Sequence, residues 1–245
     1  MKSALTQLPC MLQALQHRIR SYRYPQTVFA WAIVSRIGRD DRKYMGRIVD
    51  LPCGEGEVAR ELSRSLKCHV IGIDISAECI RRAWQNTVED VRFETADLYD
   101  YLVREQGIDV LCIVNSLFCL TDARRAIDLC LTAIRPGGSV FVVIPNIHSP
   151  NYRAFHRQNP CVNKWAVSAP EARAFFEAVG FRVVSFKGVA RARWYGRSGL
   201  RWLRSSWHLY LLAENYCKTL LSLGTPSYFV IELAKQQRED TKLET

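Results

Sequence analysis

The 245-residue chain is predicted to form one α/β domain around a mostly parallel sheet with helices on both faces. Two observations predict this fold class. From Arg47 onward, short apolar runs rich in β-branched residues alternate with segments of helical period. The first run then enters a turn with Gly54 and Gly56 that opens a helix, and such a turn brings backbone close to a ligand. The length suits one large domain with additions rather than a cofactor domain joined to a full substrate domain.

Seven strands are predicted from apolar runs bounded by turn residues. They cover residues 47–51, 70–74, 91–94, 108–114, 139–144, 181–186 and 227–233. The seventh strand follows a long interruption, residues 188–224, which is predicted to be a helical insertion rich in basic and aromatic residues.

Helices are predicted where a capping residue precedes a helical apolar stripe. A further helix is predicted over residues 122–134, followed by a turn at the R-P-G-G run 135–138 that announces strand five. Ser168 and Glu171 form a capping-box pattern with an early proline. Ser76 is also a predicted cap, and the helix after it is expected to carry Cys79, Ile80, Ala83 and Trp84 on one face.

The run I-V-D-L-P-C-G-E-G-E-V at residues 48–58 places Asp50 near a strand end, four residues before the first glycine of the turn. This arrangement resembles the first motif of class I S-adenosylmethionine (SAM) dependent methyltransferases, in which an acid near the strand end precedes a C-G-x-G-type turn. The family more often has glycine where this chain has Pro52, a stiffer residue with φ held near about −65°. The resemblance covers roughly residues 47–236 and implies a seven-stranded sheet of order 3-2-1-4-5-7-6 whose last strand enters antiparallel.

A nicotinamide dinucleotide enzyme is the rival hypothesis. Residues 54–59 also fit a looser G-x-G-x-x-A pattern, and Asp74 lies at about the distance expected of an acid that binds a ribose. In a dinucleotide site, however, the glycine turn normally follows its strand at once, whereas Asp50 precedes Gly54 by four residues. The motif therefore favours SAM.

The resemblance implies that the cofactor residues lie at the carboxyl ends of the strands, where open parallel sheets bind ligands. Asp74 would accept hydrogen bonds from both ribose hydroxyls. Asp97 would face the adenine amino group, unless it only caps the next helix. Asn115 falls where the family contacts the methionine part of SAM through its backbone. The predicted cofactor-binding residues are Asp50, Gly54, Gly56, Asp74, Ile75, Asp97, Leu98 and Asn115.

Methyl transfer from a sulfonium mainly requires an acceptor held about 3 Å from the methyl carbon, in line with the breaking bond. A general base is needed only for an acceptor that is protonated at the working pH. The loop after strand five carries His148 near the expected acceptor pocket, and histidine titrates in the right range for a base. His148 is thus the candidate catalytic residue and favours O- over N-methylation; its alternative is a structural hydrogen-bonding role.

The chain has a net charge of +10, which combines two basic segments with a remainder of −3. Residues 1–44, a predicted helical extension of the domain 45–245, carry +6, and residues 181–213 carry +7. A basic rim around the active site would favour an anionic acceptor. Within residues 191–223, arginines alternate with Trp and Tyr, which fits a lid, a peripheral membrane contact that reaches a lipid-linked substrate, or RNA binding.

Composition narrows the class of protein. No apolar run approaches the ~20 residues of a membrane-spanning helix, residues 1–16 do not resemble a signal peptide, and the nine cysteines include no C-x-x-C pair. These features predict a cytoplasmic protein without a metal site or a disulfide scaffold. The resulting hypothesis is a SAM-dependent methyltransferase of a small-molecule or lipid-linked acceptor. RNA methylation and a non-catalytic partner protein of the same fold are the alternatives, and the intact Gly54, Gly56 and Asp74 argue against the second.

Overall fold

The computed structural model describes residues 26–37, 46–86, 90–149, 152–153, 167–189 and 225–236. The strands are β1 Ile48–Asp50, β2 Val70–Asp74, β3 Val91–Thr95, β4 Ile108–Val114, β5 Ile134–Pro145, β6 Phe181–Val189 and β7 Tyr228–Lys235. The helices are α1 Gln26–Ile37, α2 Glu57–Leu66, α3 Ala77–Gln85, α4 Leu98–Arg104, α5 Ala123–Ala133 and α6 Ala169–Val179, with a short 3₁₀ turn at Leu117–Cys119.

The seven strands form one sheet of order β3-β2-β1-β4-β5-β7-β6, which confirms the predicted topology. The pairs among β1 to β5 are parallel, and β7 runs antiparallel to both β5 and β6. Pro145 at the end of β5 pairs with Tyr228 at the start of β7. The carboxyl ends of the parallel strands and the entry of β7 therefore share one edge, which we call the carboxyl edge.

The two faces of the sheet bury separate apolar clusters, because successive side chains of a strand point to opposite faces. Val49 of β1 belongs to a cluster completed by α4, α5 and α6, with Leu102, Ile127 and Phe176 as fully covered members. Its neighbour Ile48 belongs to the opposite cluster, which is completed by α1, α2 and α3 through Ile33, Leu62 and Ala83. Helices on both faces are thus confirmed.

Helix α1 packs into the second of these clusters, the one that contains Ile48. Its Arg36 forms an ion pair with Glu232, a buried carboxylate in β7. Trp31 donates its indole N–H to Glu61 of α2 at 2.7 Å, and the rings of Phe29 and Tyr228 meet edge to face, with centroids 4.9 Å apart. The described part of the predicted N-terminal extension therefore belongs to the fold of the domain.

The predicted helix caps are confirmed. The hydroxyl of Ser76 accepts the backbone N–H of Cys79 at 3.2 Å. Ser168 and Glu171 form a reciprocal capping box, with a 2.7 Å bond from the Ser168 N–H to the Glu171 carboxylate. Each bond satisfies a backbone donor that the first helical turn leaves without a partner.

One sequence-based expectation is wrong in detail. The R-P-G-G run lies inside β5 rather than before it: the pairing with β4 already begins at Ile134, and residues 135–138 form an irregularity in the ladder. On the face of α3 that is expected to carry four apolar residues, Ile80 and Ala83 are buried, whereas Trp84 is 45% exposed and meets Phe93 of the edge strand β3 edge to face.

The predicted insertion, apart from its first two residues, lies outside the described residues, as do residues 1–25 and 237–245. The expectations for these segments stay predictions. In the described part of the chain, none of the helices has the length and apolar character needed to cross a bilayer.

Candidate functional site

The glycine turn, residues 51–56, joins β1 to α2 at the carboxyl edge. Backbone hydrogen bonds hold it against two neighbouring strands: Leu51 N–H donates to Cys112 of β4 at 2.9 Å, and Cys53 N–H donates to Ile73 of β2 at 2.7 Å. Gly56 N–H closes the turn on the carbonyl of Cys53 at 2.9 Å. The turn is therefore fixed by the sheet before any ligand binds.

The two glycines of the turn have different reasons to be glycine. Both have positive φ, +56° at Gly54 and +75° at Gly56, a conformation that side chains disfavour. A Cβ on Gly54 would meet no atom of the described structure within 4 Å, so its backbone borders open space. A Cβ on Gly56 would lie 2.4 Å from the ring of Phe93. Gly54 therefore leaves room for a ligand, whereas Gly56 is required by packing.

Asp74 at the end of β2 lies directly beside Gly54. One carboxylate oxygen accepts the Gly54 N–H at 2.8 Å and the other accepts the Ser76 N–H at 2.9 Å. Burial raises the pKa of Asp74, and the two amide bonds offset part of that rise. Each carboxylate oxygen can accept a further hydrogen bond. The next residue, Ile75, is 69% exposed and offers an apolar surface beside the acid.

Asp50 at the end of β1 is the most unusual carboxylate of the site. It is 1% exposed, and among the described residues neither of its oxygens has a hydrogen-bond partner of normal geometry. Burial raises its pKa to about 8; the Ala59 backbone amide lowers that pKa in part, and the charge of Asp74 raises it further. A buried acid without compensation lowers stability and calls for an explanation. A cationic ligand at this edge would supply one.

Asp97 and Leu98 lie where β3 leads into α4. The Asp97 carboxylate caps that helix, because one oxygen accepts the N–H groups of Tyr99 at 2.7 Å and Asp100 at 3.2 Å. The capping role that the sequence left open is thus real, and a contact with adenine stays a prediction. The Leu98 side chain is buried in the core, so only its backbone could reach a cofactor.

Asn115 and Ser116 follow β4 in a strained turn. Asn115 has φ +52°, which asparagine tolerates better than most residues, and its N–H donates to Val143 of β5 at 2.9 Å. The Ser116 hydroxyl is buried and has no hydrogen-bond partner in the described structure. Sequence reasoning missed Ser116, because a serine after an apolar strand carries no signal of its burial.

His148 lies in the loop after β5, at the same edge. β1 and β5 are separated only by β4, which places their ends about 10 Å apart. The His148 side chain is exposed, and its backbone N–H donates to the Asn146 side chain at 3.0 Å. Asn146 was missed as a site residue, although an asparagine two positions before the N–H it binds is a known turn pattern.

The site therefore collects most of the predicted residues at one edge. Gly54, Asp74 and Ile75 adjoin one another, Asp50 is buried at the end of β1, and Asn115 follows the neighbouring strand β4. His148 lies two strands away, on the side of β5. A cradle of open backbone with two buried acids fits a ligand that has hydroxyls and positive charge, as SAM has. Among the described residues, no group of three or more His, Cys, Asp or Glu side chains could hold a metal ion.

The segment that contains most of these residues is similar in sequence to known proteins. Residues 48–138 match a family model described as "Methyltransferase domain". That segment begins at β1 and ends within β5, so it contains the glycine turn, Asp74, Asp97 and Asn115.

Two curated relatives and one solved structure illustrate the similarity. The chain is 33% identical over 100 residues to a ubiquinone biosynthesis O-methyltransferase of Cupriavidus pinatubonensis, covering 39% of this chain and 40% of the relative. It is 30% identical over 118 residues to a trans-aconitate 2-methyltransferase of Deinococcus radiodurans, covering 48% and 43%. A SAM-dependent methyltransferase structure from Archaeoglobus fulgidus superposes with a TM-score of 0.58 at 21% identity, covering 84% and 94%. The matches thus span under half the length of these two curated relatives.

Proposed function

Residues 48–138 are a methyltransferase domain of the class I SAM-dependent type, and from this premise we propose that the whole chain transfers a methyl group from SAM to a small-molecule or lipid-linked acceptor. The observation that carries the proposal is the open backbone at Gly54 beside the Asp74 carboxylate. The family match also favours SAM over the nicotinamide alternative.

The residues of the carboxyl edge have distinct tasks in this proposal. When bound, SAM supplies a methyl group on a positively charged sulfonium. Gly54 admits the cofactor against the backbone, and Asp74 accepts its ribose hydroxyls. Ile75 covers an apolar face. Asp50 is protonated near neutral pH in the free protein, and a bound sulfonium would lower its pKa and favour the ionised form in a poorly solvated place, where electrostatic attraction is strong. This binding mode accounts for a carboxylate that is otherwise unfavourable.

On the acceptor side, the protein has to hold a nucleophile in line with the methyl group and exclude water. The loop after β5 is the described segment best placed for this task. His148 is exposed there and would accept a proton from a hydroxyl acceptor as it attacks. A carboxylate acceptor would need no base, because it is already ionised near neutral pH.

We infer an acceptor that is methylated on oxygen and is anionic or lies next to anionic groups. Both curated relatives named above carry names of small-molecule methyltransferases; one is named for O-methylation, and the other for trans-aconitate, a carboxylic acid. The two basic segments of the sequence point the same way. A lipid-linked acceptor stays within this proposal, because residues 191–223 combine Trp with Arg. Those same residues would bind RNA in the alternative function.

The test is methyl transfer from SAM labelled in the methyl group. The acceptor panel contains dihydroxybenzoates, trans-aconitate, a prenylated phenol in detergent micelles, and bulk transfer RNA. Label should enter a phenol or an acid, and His148→Ala should slow phenol methylation at neutral pH more than carboxylate methylation. Label in RNA alone would establish the alternative, and label in no acceptor despite SAM binding would favour a non-catalytic protein.

A further inference from the structure

Asn146, the residue directly after β5, connects three segments at the carboxyl edge. It is 3% exposed, and its hydrogen bonds in the described structure have ordinary lengths of 2.8–3.0 Å. Its side-chain N–H donates to the Pro226 carbonyl at 2.8 Å, and its side-chain oxygen accepts the His148 N–H at 3.0 Å. Its backbone N–H donates to the Ser227 carbonyl at 3.0 Å, and its carbonyl accepts the Ser149 N–H at 3.0 Å. The side chain thus joins the His148 loop to the residues before β7.

The residues just before β7 are one of the two ends between which the predicted insertion lies. We define the stem as Val189, the last residue of β6, together with residues 225–227, which resume the described chain before β7. The Ser227 N–H donates to the Val189 carbonyl at 3.0 Å, so the two ends of the insertion are bonded to each other. The Ser227 hydroxyl also lies 3.3 Å from that of Ser149, and both serines are buried.

The same loop is bonded on its other side to the start of α6. Asn146 pairs with Val167 as an isolated parallel bridge, and the Ile147 N–H donates to the Val167 carbonyl at 3.3 Å. The His148 backbone is thus held from both sides, while its side chain stays exposed. A buried polar side chain that is hydrogen-bonded to several segments favours one conformation of those segments. Removing the side chain takes a hydrogen bond from each group that it bound.

We propose that Asn146 is a positioning residue for the acceptor: it fixes the His148 loop to the stem of the insertion, so that the loop and the stem take up one geometry together. The inference rests on the proposed function. The predicted cofactor residues lie at the ends of β1, β2, β3 and β4, and in the described structure none of them is hydrogen-bonded to Asn146. Loss of Asn146 therefore acts on the acceptor and leaves SAM binding intact.

The decisive variants separate the two links. Asn146→Ala removes both side-chain bonds. Asn146→Asp keeps an oxygen for the His148 N–H but replaces the donor to Pro226 with an acceptor. Asn86→Ala is the matched control, because Asn86 is exposed at the far end of α3 and its side chain donates to the Arg82 carbonyl at 3.4 Å.

The first measurement is steady-state kinetics with the best acceptor of the panel, beside calorimetry with SAM. Asn146→Ala and Asn146→Asp should each raise the acceptor KM at least fivefold and leave the Kd for SAM within twofold, and Asn86→Ala should change neither. An Asp variant that behaves as wild type would show that the link to Pro226 is dispensable and would overturn the coupling. Equal losses of SAM and acceptor binding would indicate a general structural role and would also overturn it.

The second measurement needs no acceptor. Amide hydrogen exchange of the free full-length protein is followed at residues 146–149 and 225–227, with residues 54–59 as the internal reference. Asn146→Ala should accelerate exchange at least tenfold in both segments and leave the reference unchanged. Unchanged exchange at residues 225–227 would refute the proposal even if the wild-type chain methylates nothing, so its failure can be told from a failure of the proposed function.

Discussion

Replacing Gly54 by alanine tests the glycine turn, because the chain contains a matched control in Gly107. Both glycines have positive φ, +56° and +72°, and an added Cβ would meet no atom of the described structure within 4 Å at either place. Alanine in that conformation costs about 1–2 kcal/mol of folding free energy. Gly107 precedes β4 and therefore lies at the opposite edge of the sheet from Gly54.

The two variants should lose similar stability and differ in SAM binding. In Gly54→Ala the new methyl group occupies space that the cofactor needs, and overpacking of this kind costs about 2 kcal/mol, roughly thirtyfold in Kd. Urea unfolding gives the stability of each variant, and calorimetry with SAM gives the Kd. Gly107→Ala should bind SAM as wild type does. Equal SAM affinity in the two variants would refute the placement of the cofactor against Gly54.

Three further predictions concern buried groups. The folded chain keeps a proton on Asp50 up to about pH 8, whereas the unfolded acid has a pKa of 3.8, so stability contributed by this group falls as pH rises between those values. Asp50→Asn should therefore stabilise the free protein by about 1–3 kcal/mol at pH 8 and by less at pH 5. The same variant should bind SAM more weakly in calorimetry. Thermal unfolding that shows no gain in stability at pH 8 would contradict this prediction. Gly56→Ala should lower the free energy of unfolding, measured in urea, by about 2–4 kcal/mol, because the new Cβ would clash with Phe93. A loss of stability no larger than that of Gly107→Ala would contradict this prediction. Arg36→Ala should lower the free energy of unfolding by about 2 kcal/mol, because it removes the Arg36 guanidinium from its ion pair with the buried Glu232 carboxylate. A change under 0.5 kcal/mol would show that the contact is dispensable.

Local signals in the sequence predicted the framework of the fold. The caps at Ser76 and Ser168 have short-range partners three residues away, so their patterns are visible in sequence. The strands were recognisable from apolar runs, and their order followed from the family resemblance. The start of β5 was predicted wrongly. Whether Gly137 and Gly138 precede a strand or interrupt it depends on the pairing with β4, which the local sequence does not show.

The site was predicted less completely, because its properties depend on distant neighbours. The reason for glycine at position 56 is the ring of Phe93, thirty-seven positions away in the chain. In the sequence Asp50 is a polar residue near a strand end, and its burial without a hydrogen-bond partner of normal geometry follows only from the packing around β1. The bond from Asn146 to Pro226 spans eighty positions. Patterns of residues find the elements, whereas such contacts emerge only when the elements pack.

Calorimetry with SAM and with NADH, on the wild-type chain and on Asp74→Ala, tests the central claim most directly. Circular dichroism of both proteins establishes that the variant is folded. We predict that the wild type binds SAM and not NADH, and that Asp74→Ala loses at least a hundredfold in SAM affinity because the ribose acceptor is gone. Binding of NADH, or SAM affinity that is unchanged in the variant, would contradict the assignment of this edge as a SAM site.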